Sequence, residues 1–304
     1  MTAGRATGTP ASVARDRDDP TARPGSQTRV RVRPLSAPGG PTREDRVATE
    51  EPLEIRVETA GRATAVAVTM RTPGADFDLA AGFLLAEGVV RGREDIRQIE
   101  YCVDAALSEE QSYNVVTVRL RPIATVDLAP LERHFSITSA CGVCGKTSLD
   151  ALTVRGLATL PPGPVISPDV LSALPERVRA RQRLFDTTGG LHAAALCTPH
   201  GEVVAVREDV GRHNALDKLL GWAMLEGRTP LYEGIVLVSG RASFELAQKC
   251  VAAGVPILCA VSAPSSLAID VAERFGLTLV GFLRDGRGNI YHDPGRIVGR
   301  AGNH

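Results

Sequence analysis

Two stretches that alternate apolar and polar residues lie early in the sequence. Residues 53–59 (LEIRVET) and 63–70 (ATAVAVTM) place an apolar side chain at every second position, which is typical of strands with one buried face. Ala60 and Gly61 stand between them and suit a tight turn. The pattern therefore predicts a β-hairpin.

A helix and two further strands are predicted directly after this hairpin. Asp76 precedes an apolar helical face and is expected to cap the helix, which should end at Gly88. The strands are expected near residues 97–103 and 113–120. Together with the hairpin, these elements form a small α+β unit, which we assign to residues 47–125.

From residue 190 onward the pattern changes. Apolar runs of five or six residues alternate with helical segments of 11–14 residues. Runs that are apolar on both faces are typical of a sheet covered by helices on both sides. His200 and Gly201 predict a turn between the first two strands. The fold class is therefore α/β (α+β overall), with the larger domain at residues 166–304.

Two segments show neither pattern. Residues 1–46 contain no aromatic residue, six Pro and five Gly, and such a composition cannot bury enough surface to offset chain entropy. We predict that they form a disordered tail. Residues 126–165 are interpreted as a connector, and the Pro-rich stretch 157–168 (LATLPPGPVISP) is interpreted as a linker.

Composition and charge narrow the class of protein. Of the 304 residues 43% are hydrophobic, which is enough for a substantial core, and 35 basic residues balance 35 acidic ones. Zero net charge disfavours a strongly cationic nucleic-acid-binding protein. No apolar run reaches the roughly 20 residues of a membrane helix, and the start lacks the apolar region of a secretory signal. We expect a cytoplasmic protein that binds neither membrane nor nucleic acid.

The six cysteines fall into two groups. Four lie singly in apolar runs and are predicted to be structural, because a buried Cys behaves as a small hydrophobic residue; these are Cys102, Cys197, Cys250 and Cys259. Cys141 and Cys144 differ, since they lie in the polar, glycine-rich stretch CGVCGK. Lys146 follows closely and favours the thiolate, the reactive form.

Three kinds of chemistry fit this CxxC pair: a dithiol/disulfide redox pair, half of a zinc site, or a nucleophilic carrier of a persulfide. Zinc needs three or four protein ligands, and the chain has no second CxxC and no paired His at finger spacing. We therefore expect no zinc. A redox pair should open a helix in a compact βαβ domain, whereas Cys141 and Cys144 lie in the predicted connector.

Histidines and an arginine form the next candidates. His192 lies at the start of a predicted element in the α/β layer, which invites comparison with zinc deaminases, but Ala194 stands where the H-x-E glutamate of those enzymes would be. Hydrolytic deamination is therefore disfavoured. Arg212 and His213 lie at a strand-to-helix junction, where they can hold an anion or orient another group; a solvated loop is the simpler interpretation.

Three further turns carry polar or small residues after predicted strands. Residues 239–243 (SGRAS) and 262–266 (SAPSS) each precede a helix, whose free N–H groups favour phosphate. Helix capping by Ser explains both turns equally well. Residues 282–288 (FLRDGRG) offer an aromatic ring, two Arg and an acid. They can stack on a base and bind phosphates, or simply form a charged hairpin turn.

Six motifs in this order resemble the FdhD family of formate dehydrogenase accessory sulfurtransferases: TSACGVCGK, FDTTGGLHAAAL, REDVGRHNALDK, SGRASFELAQK, SAPSSLAIDVAERFGLTLVGF and FLRDGRGNIY. The resemblance extends from about residue 50 to residue 294. It implies a cytidine-deaminase-like three-layer core without the deaminase zinc chemistry, and a smaller N-terminal α+β unit. It also implies sulfur transfer from a cysteine desulfurase to the molybdenum cofactor, as bis-molybdopterin guanine dinucleotide, needed by formate dehydrogenase.

The same resemblance implies site residues and an assembly. Cys141 matches the persulfide-bearing cysteine, and Cys144 is its neighbour. A guanine-dinucleotide-binding segment is matched by Phe282, Leu283, Arg284, Asp285, Gly286 and Arg287. GDP should therefore mimic the cofactor, and a homodimer is expected. Two alternatives stay open: a thiol-disulfide oxidoreductase that uses the CxxC, and a non-catalytic chaperone that binds the molybdenum cofactor.

Overall fold

The computed structural model describes residues 25–102, 113–122 and 157–299. The strands of the described part are β1 Gln27–Val32, β2 Arg43–Ala48, β3 Glu51–Thr59, β4 Arg62–Arg71, β5 Ile96–Tyr101, β6 Val115–Leu120, β7 His192–Cys197, β8 Val203–Asp209, β9 Ile235–Val238, β10 Ile257–Ala260, β11 Thr278–Arg284 and β12 Arg287–His292. The α-helices are α1 Asp76–Ala86, α2 Pro168–Arg179, α3 Arg183–Thr188, α4 Arg212–Leu225, α5 Phe244–Ala252 and α6 Ser266–Phe275, with a short 3₁₀ turn at Arg93–Asp95. None of these described helices is long and apolar enough to cross a membrane.

The N-terminal unit is a four-stranded sheet in the order β4-β3-β6-β5. Its β3–β4 hairpin confirms the prediction, and Ala60 and Gly61 both take the positive φ (50° and 78°) of a tight two-residue turn. The two further predicted strands are β5 and β6. The inner face of the sheet carries buried Leu53, Ile55 and Val57.

Helix α1 begins differently from the sequence prediction. Ala75, in the left-handed conformation at φ 54°, occupies the N-cap position, and no side chain caps the helix. Asp76 instead accepts two hydrogen bonds from the Arg71 guanidinium, at 3.1 and 2.9 Å, with both side chains buried. The prediction that Asp76 caps the helix is therefore wrong: a buried ion pair with β4 uses this carboxylate.

The larger unit is a six-stranded sheet in the order β12-β11-β10-β9-β7-β8, in which β9, β10 and β11 are parallel. Alternate residues of each strand face opposite layers. Helix α2 packs on one face, where Ile235 and Leu237 of β9 belong to its apolar cluster. Helices α4, α5 and α6 pack on the other face, where Val236 and Val238 lie. Both sides of the sheet are covered, so the α/β prediction is confirmed.

Helices α1 and α4 join the two units at a glycine contact. A Cβ added to Gly82 would lie 1.9 Å from the carbonyl oxygen of Asp217, and one added to Gly221 would lie 1.9 Å from that of Asp78. Only glycine permits this approach of two helix backbones. The apolar residues of both units consequently form one continuous core.

Two buried ion pairs reinforce this junction along α4. Lys218 bonds to Asp209 at 2.7 Å and also donates to the carbonyl of Thr72, in the N-terminal unit, at 2.7 Å. Asp217 accepts two hydrogen bonds from Lys249 of α5, at 2.7 and 2.9 Å. Each buried charge is paired with one of opposite sign, so these ion pairs connect α4 to its neighbours within the core.

The prediction of a disordered tail over residues 1–46 is wrong for its second half. Strands β1 and β2 pair antiparallel from Gln27↔Ala48 to Val32↔Arg43. Gln27 donates a hydrogen bond to Thr187 of α3 at 2.7 Å, so the hairpin is anchored on the larger unit. Composition alone missed this because the anchor lies far away in the sequence. Residues 1–24 are outside the described part.

The Pro-rich stretch is also not a free linker where the structure describes it. Leu160 is buried and donates its N–H to the carbonyl of Phe275 at 2.9 Å. The buried guanidinium of Arg296 donates to the carbonyls of Pro161, at 2.6 Å, and Pro162. One Arg thus satisfies carbonyls of a segment that has few backbone N–H groups of its own.

Candidate functional site

The predicted persulfide residues lie outside the described part of the chain. Cys141, Cys144 and Lys146 all fall between residues 122 and 157. The remaining candidates do lie in it, and most of them gather at one edge of the six-stranded sheet.

Three predicted turns lie side by side at the carboxyl ends of β9, β10 and β11. Ser262 donates its backbone N–H to the carbonyl of Gly240 at 3.3 Å, and Phe282 donates its N–H to the carbonyl of Ser262 at 3.1 Å. Ala242 and Pro264 add an isolated bridge between the first two turns. Ligands of α/β sheets bind outside the carboxyl ends of parallel strands, so this edge is the candidate site.

The helix starts at this edge differ in how they are capped. Ser265 caps α6 by accepting a hydrogen bond from the N–H of Ala268 at 3.3 Å, which explains that turn without a ligand. Ser243 occupies the N-cap position of α5 but makes no side-chain cap, because its hydroxyl contacts His213 at 3.2 Å. Helix α4 follows Gly211 and also lacks a side-chain cap. The starts of α4 and α5 therefore lack a cap from the side chain of their N-cap residue.

His192 begins β7 next to the turn after β9. Its Nδ1 lies 3.5 Å from the hydroxyl of Ser239, which also accepts a hydrogen bond from the N–H of Ala193 at 2.9 Å. Burial, and then the nearby Arg212 guanidinium, lowers the pKa of His192, while Asp209 opposes the shift. The imidazole is therefore neutral at physiological pH.

His213 lies in the first turn of α4 and faces α5. Its Nε2 is 3.1 Å from the carboxylate of Glu245 and 3.2 Å from the hydroxyl of Ser243. Burial lowers the pKa of His213 to about 4, with Arg212, Lys249 and His192 acting in the same direction and Glu245 against it. The neutral ring can donate one hydrogen bond, to the Glu245 carboxylate.

Sequence reasoning named Arg212 and the histidines but missed two contacts. A Cβ on Gly240 would lie 3.4 Å from Nδ1 of His192 and 3.5 Å from Cδ of Arg212, so the backbone of Gly240 lies next to both side chains. Glu245 is the partner of His213. The signal for Glu245 was an acid just after a Ser at a helix start; nothing in the sequence indicated the role of Gly240. We call His192, Arg212, His213, Ser239 and Gly240 the Arg212 cluster.

The segment 282–287 forms the turn between β11 and β12. Asp285 and Gly286 take positive φ (52° and 70°), as a two-residue hairpin turn requires. An irregularity in the strand pairing accompanies Phe282, which has a φ of 53° and is 37% exposed as a residue. A surface pocket of about 310 Å³ is lined by Phe282, Arg284, Arg287, Gly288 and Asn289. The segment is a charged hairpin turn that also shapes a pocket.

Leu283 is the exception within this segment. Its side chain is 3% exposed and packs in the apolar cluster beneath α2. It holds the turn on the sheet and presents only its backbone to the surface. Phe282, Arg284 and Arg287 are the side chains of the segment that line the pocket.

The other described cysteines have little access to solvent. Cys197, Cys250 and Cys259 are buried, and burial raises the pKa of the Cys197 thiol to about 12 and raises the other two further. Such thiols are poor nucleophiles. Cys102 is half-buried at the end of β5, with a guanidinium nitrogen of Arg56 at 3.9 Å.

Across residues 25–102, 113–122 and 157–299, no three His, Cys, Asp or Glu side chains cluster as a metal ion would require. Ala194, at the position of the deaminase glutamate, is fully buried in β7.

Comparison with known proteins gives consistent matches over most of the chain. The model of the FdhD/NarQ family matches residues 48–298. Sulfur carrier protein FdhD of Streptomyces coelicolor is 54% identical over 263 residues, which cover 86% of this chain and 92% of that protein. Sulfur carrier protein FdhD of Mycobacterium tuberculosis is 50% identical over 263 residues, or 84% of this chain and 93% of that protein.

A solved structure shares the fold. The crystal structure of a candidate formate dehydrogenase accessory protein from Desulfotalea psychrophila superposes with a TM-score of 0.66 at 25% identity. The superposition covers 90% of this chain and 98% of that protein. The architecture described above is therefore found in a second protein.

Proposed function

This chain belongs to the FdhD/NarQ family, and from that premise we propose that it is a sulfurtransferase. It takes sulfur from a cysteine desulfurase as a cysteine persulfide and passes it to the molybdenum cofactor in its bis-molybdopterin guanine dinucleotide form, for formate dehydrogenase. The observation that carries the proposal is the pair Cys141 and Cys144 in a glycine-rich stretch, in a chain half identical to proteins named sulfur carriers.

The first step is a thiolate–persulfide exchange. The Cys141 thiolate attacks the outer sulfur of the desulfurase persulfide, a new S–S bond forms on Cys141, and the desulfurase cysteine leaves as a thiolate. One S–S bond forms as one breaks, so no oxidant or reductant is needed. Lys146 favours the thiolate of the attacking residue. The buried thiols of Cys197, Cys250 and Cys259 do not compete.

The second step needs the cofactor to be held by its guanine-dinucleotide end. We assign this role to residues 282–287, where Phe282 offers a partly exposed ring and Arg284 and Arg287 line the same pocket. An aromatic face can stack on guanine, and a guanidinium fork suits phosphate oxygens. The protein is proposed to act in the cytoplasm as a homodimer.

Intact mass measurement after incubation with a cysteine desulfurase and cysteine tests the sulfur step. The wild type should gain one sulfur that a reductant removes, and Cys141→Ser should gain none. Cys250→Ala is the matched control, because that thiol is buried, and it should load normally. Normal loading of Cys141→Ser would move the role to Cys144 or end the carrier proposal. A disulfide without added sulfur would indicate a thiol-disulfide oxidoreductase.

Calorimetry with GDP and ADP tests the guanine site. GDP should bind more tightly than ADP, and Arg287→Ala should weaken GDP by roughly tenfold to a hundredfold, since a charged hydrogen bond contributes about 1.5–3 kcal/mol. Arg33→Ala, an exposed change elsewhere, is the control and should bind GDP as the wild type does. Equal binding of GDP and ADP, or an unaffected Arg287→Ala, would place the cofactor site elsewhere.

A further inference from the structure

The β1–β2 hairpin presents an exposed face of arginines. Residues 27–48 hold five Arg and two acids, in a chain whose net charge is zero. Arg29 and Arg31 of β1 point to the same side of the ribbon, and Arg46 of β2 lies directly opposite Arg29. All three residues are exposed. We call Arg29, Arg31 and Arg46 the arginine face.

The arginine face contributes little to the stability of the hairpin. Arg29 lies 3.6 Å from the carboxylate of Glu44, but these side chains are 59% and 62% exposed, and such a surface pair is weak. Arg31 and Arg46 form no ion pair with any residue that the structure describes. Like charges directly opposite each other, as Arg29 and Arg46 are, destabilise a strand pair. The charges therefore suit a partner of opposite sign better than they suit the fold.

The tip of the hairpin adds an apolar side chain to this face. Leu35 is 97% exposed, and two turns order the backbone around it. The N–H of Ala37 donates to the carbonyl of Pro34 at 3.0 Å, and the N–H of Gly40 donates to the carbonyl of Ala37 at 2.9 Å. Arg is enriched in protein interfaces, where guanidinium groups pair with carboxylates. An ordered Leu beside them can enter a pocket of the partner.

A nucleic acid fits this surface less well than an acidic protein does. Residues 1–46 contain no aromatic side chain that could stack on a base. Glu44 and Asp45 lie in the same ribbon and would repel a phosphate backbone. A protein surface that mixes carboxylates with apolar groups matches the guanidinium groups and Leu35 together.

The hairpin is fixed at the edge of the six-stranded sheet that lies away from the proposed cofactor segment. Its anchor, Thr187, lies in α3. Leu184 and Phe185 of α3 donate their N–H groups to the carboxylate of Glu208 at 3.0 and 2.8 Å. Glu208 belongs to the edge strand β8, whereas residues 282–287 follow β11, four strands away. At the usual strand spacing this is about 20 Å.

From this placement we propose that the arginine face and Leu35 form the docking surface for the sulfur donor, a cysteine desulfurase with carboxylates around an apolar pocket. The inference rests on the proposed function and deepens it by naming the surface that the donor contacts. A donor docked at the β8 edge leaves residues 282–287 open to the cofactor, so this surface suits the donor better than the enzyme that receives the cofactor. The family match begins at residue 48, where the hairpin ends, so the surface lies outside the matched segment.

The rate of sulfur loading at Cys141, followed by peptide mass, tests the surface with two sulfur sources. One is the cysteine desulfurase of the same organism with cysteine, and the other is inorganic polysulfide. Arg46→Glu should slow loading from a subsaturating desulfurase by roughly tenfold at low salt, because interface charges act mainly on association. Added salt should reduce the difference. Loading from polysulfide needs no docking and should be unchanged.

Arg46→Glu is informative because it preserves the hairpin. The new carboxylate lies opposite Arg29, so an opposite-charge pair replaces a like-charge pair. Arg43→Glu is the matched control, since Arg43 lies opposite Val32 and points to the other side of the ribbon; it should load as the wild type does. Leu35→Ser removes the apolar contact without altering charge and should slow desulfurase loading several-fold. Hydrogen exchange of residues 27–48 shows whether each variant keeps the hairpin.

The proposal is overturned if Arg46→Glu and Leu35→Ser load from the desulfurase at the wild-type rate, or if Arg43→Glu slows loading as much as Arg46→Glu does. It is also wrong if Arg46→Glu weakens binding to formate dehydrogenase, RNA or anionic vesicles while desulfurase binding, measured by calorimetry, stays the same.

The outcomes separate this inference from the proposed function. If Cys141 takes up no sulfur from either source, the proposed function fails, and calorimetry of the wild type and Arg46→Glu with the desulfurase still decides whether the hairpin docks it. If both sources load Cys141 and neither rate depends on Arg46 or Leu35, the proposed function stands and this inference fails.

Discussion

The charged side chains in the middle of helix α4 have partners of opposite charge, whereas the charged side chain at its start has none among the described residues. In its middle, Asp217 and Lys218 are buried and paired at 2.7 Å with Lys249 and Asp209. At its start, the Nε of Arg212 is buried and donates a hydrogen bond to no described group. The same helix thus has paired charges in the core and, at the edge of the sheet, a charge that no described residue pairs with.

The difference separates structure from function in this chain. A buried pair stabilises a fold mainly because removal of one partner leaves the other charge desolvated and alone. Lys218 is such a partner, since it connects Asp209 to Thr72 of the N-terminal unit. Removal of Arg212 leaves no described carboxylate without a partner. The comparison therefore predicts large stability losses in the middle of α4 and none at its start.

The largest effect is expected from Lys218→Met. This change leaves the fully buried Asp209 carboxylate without its cation and should cost about 3–5 kcal/mol of unfolding free energy. Urea unfolding followed by Trp222 fluorescence measures the loss.

The control for Lys218 removes both charges. The double variant with Asp209→Asn and Lys218→Met should recover a good part of the loss, because no unpaired charge remains. A loss below about 1 kcal/mol in the single variant would contradict the comparison, since Lys218 would then be dispensable.

Lys249→Met should cost less, about 2–4 kcal/mol, and its cost should depend on pH. Burial already raises the pKa of Asp217 to about 6, although Lys249 opposes the shift. Without the ammonium the pKa rises further, so folding of the variant takes up a proton. Its stability is then present at low pH and lost as pH rises through that pKa.

Urea unfolding of Lys249→Met at pH 5 and pH 8 tests this linkage. The gap to the wild type should be larger at pH 8, and adding Asp217→Asn should remove the difference between the two pH values. A gap that is the same at both pH values would show that Asp217 does not take up the proton.

The sequence predicted elements well where their cause is local. Alternation gave the β3–β4 hairpin, and the turn at Gly201 (φ 79°) joins β7 to β8 as expected. The failures have distant causes. Thr187 anchors the β1–β2 hairpin, and Arg296 holds the carbonyls of Pro161. Neither contact leaves a periodic signal near the segment that it orders.

The candidate site was predicted in the same uneven way. Arg212, His192 and residues 282–287 were found because polar groups after strands mark the binding edge of an α/β sheet. The contact of Gly240 with His192 and Arg212 was not predicted. These three residues are distant in the sequence, and the order of the strands brings them together. The assignments of Cys141 and Cys144 lie outside the described residues and stay predictions.

His213 should give a smaller, pH-dependent effect. Its pKa is about 4 in the folded protein, below the roughly 6.5 of an unfolded chain. The unfolded state therefore binds more protons between these values, and stability falls as pH drops from about 6.5 to 4. Burial is the largest cause of the lowered pKa; among the charged neighbours, Arg212, Lys249 and His192 lower it further and Glu245 raises it.

Comparison of His213→Gln with the wild type isolates that contribution. The unfolding free energy of the wild type should fall between pH 7 and pH 4.5 by about 1–2 kcal/mol more than that of the variant. The difference is modest because the His213 side chain is 32% exposed. Urea unfolding at both pH values measures it. Parallel stability profiles of the two proteins would show that His213 is charged in the folded state.

The smallest effect is expected at Arg212 itself. Without ligand, Arg212→Met should change the unfolding free energy by less than about 0.5 kcal/mol, because no described carboxylate loses a partner and the aliphatic stem is retained in part. Relief of the buried, unsatisfied Nε even favours the variant. Urea unfolding beside Lys218→Met in the same buffer makes the contrast direct. A loss of 2 kcal/mol or more would mean that Arg212 has a structural partner, so that the charge at the start of α4 is paired as the charges in its middle are.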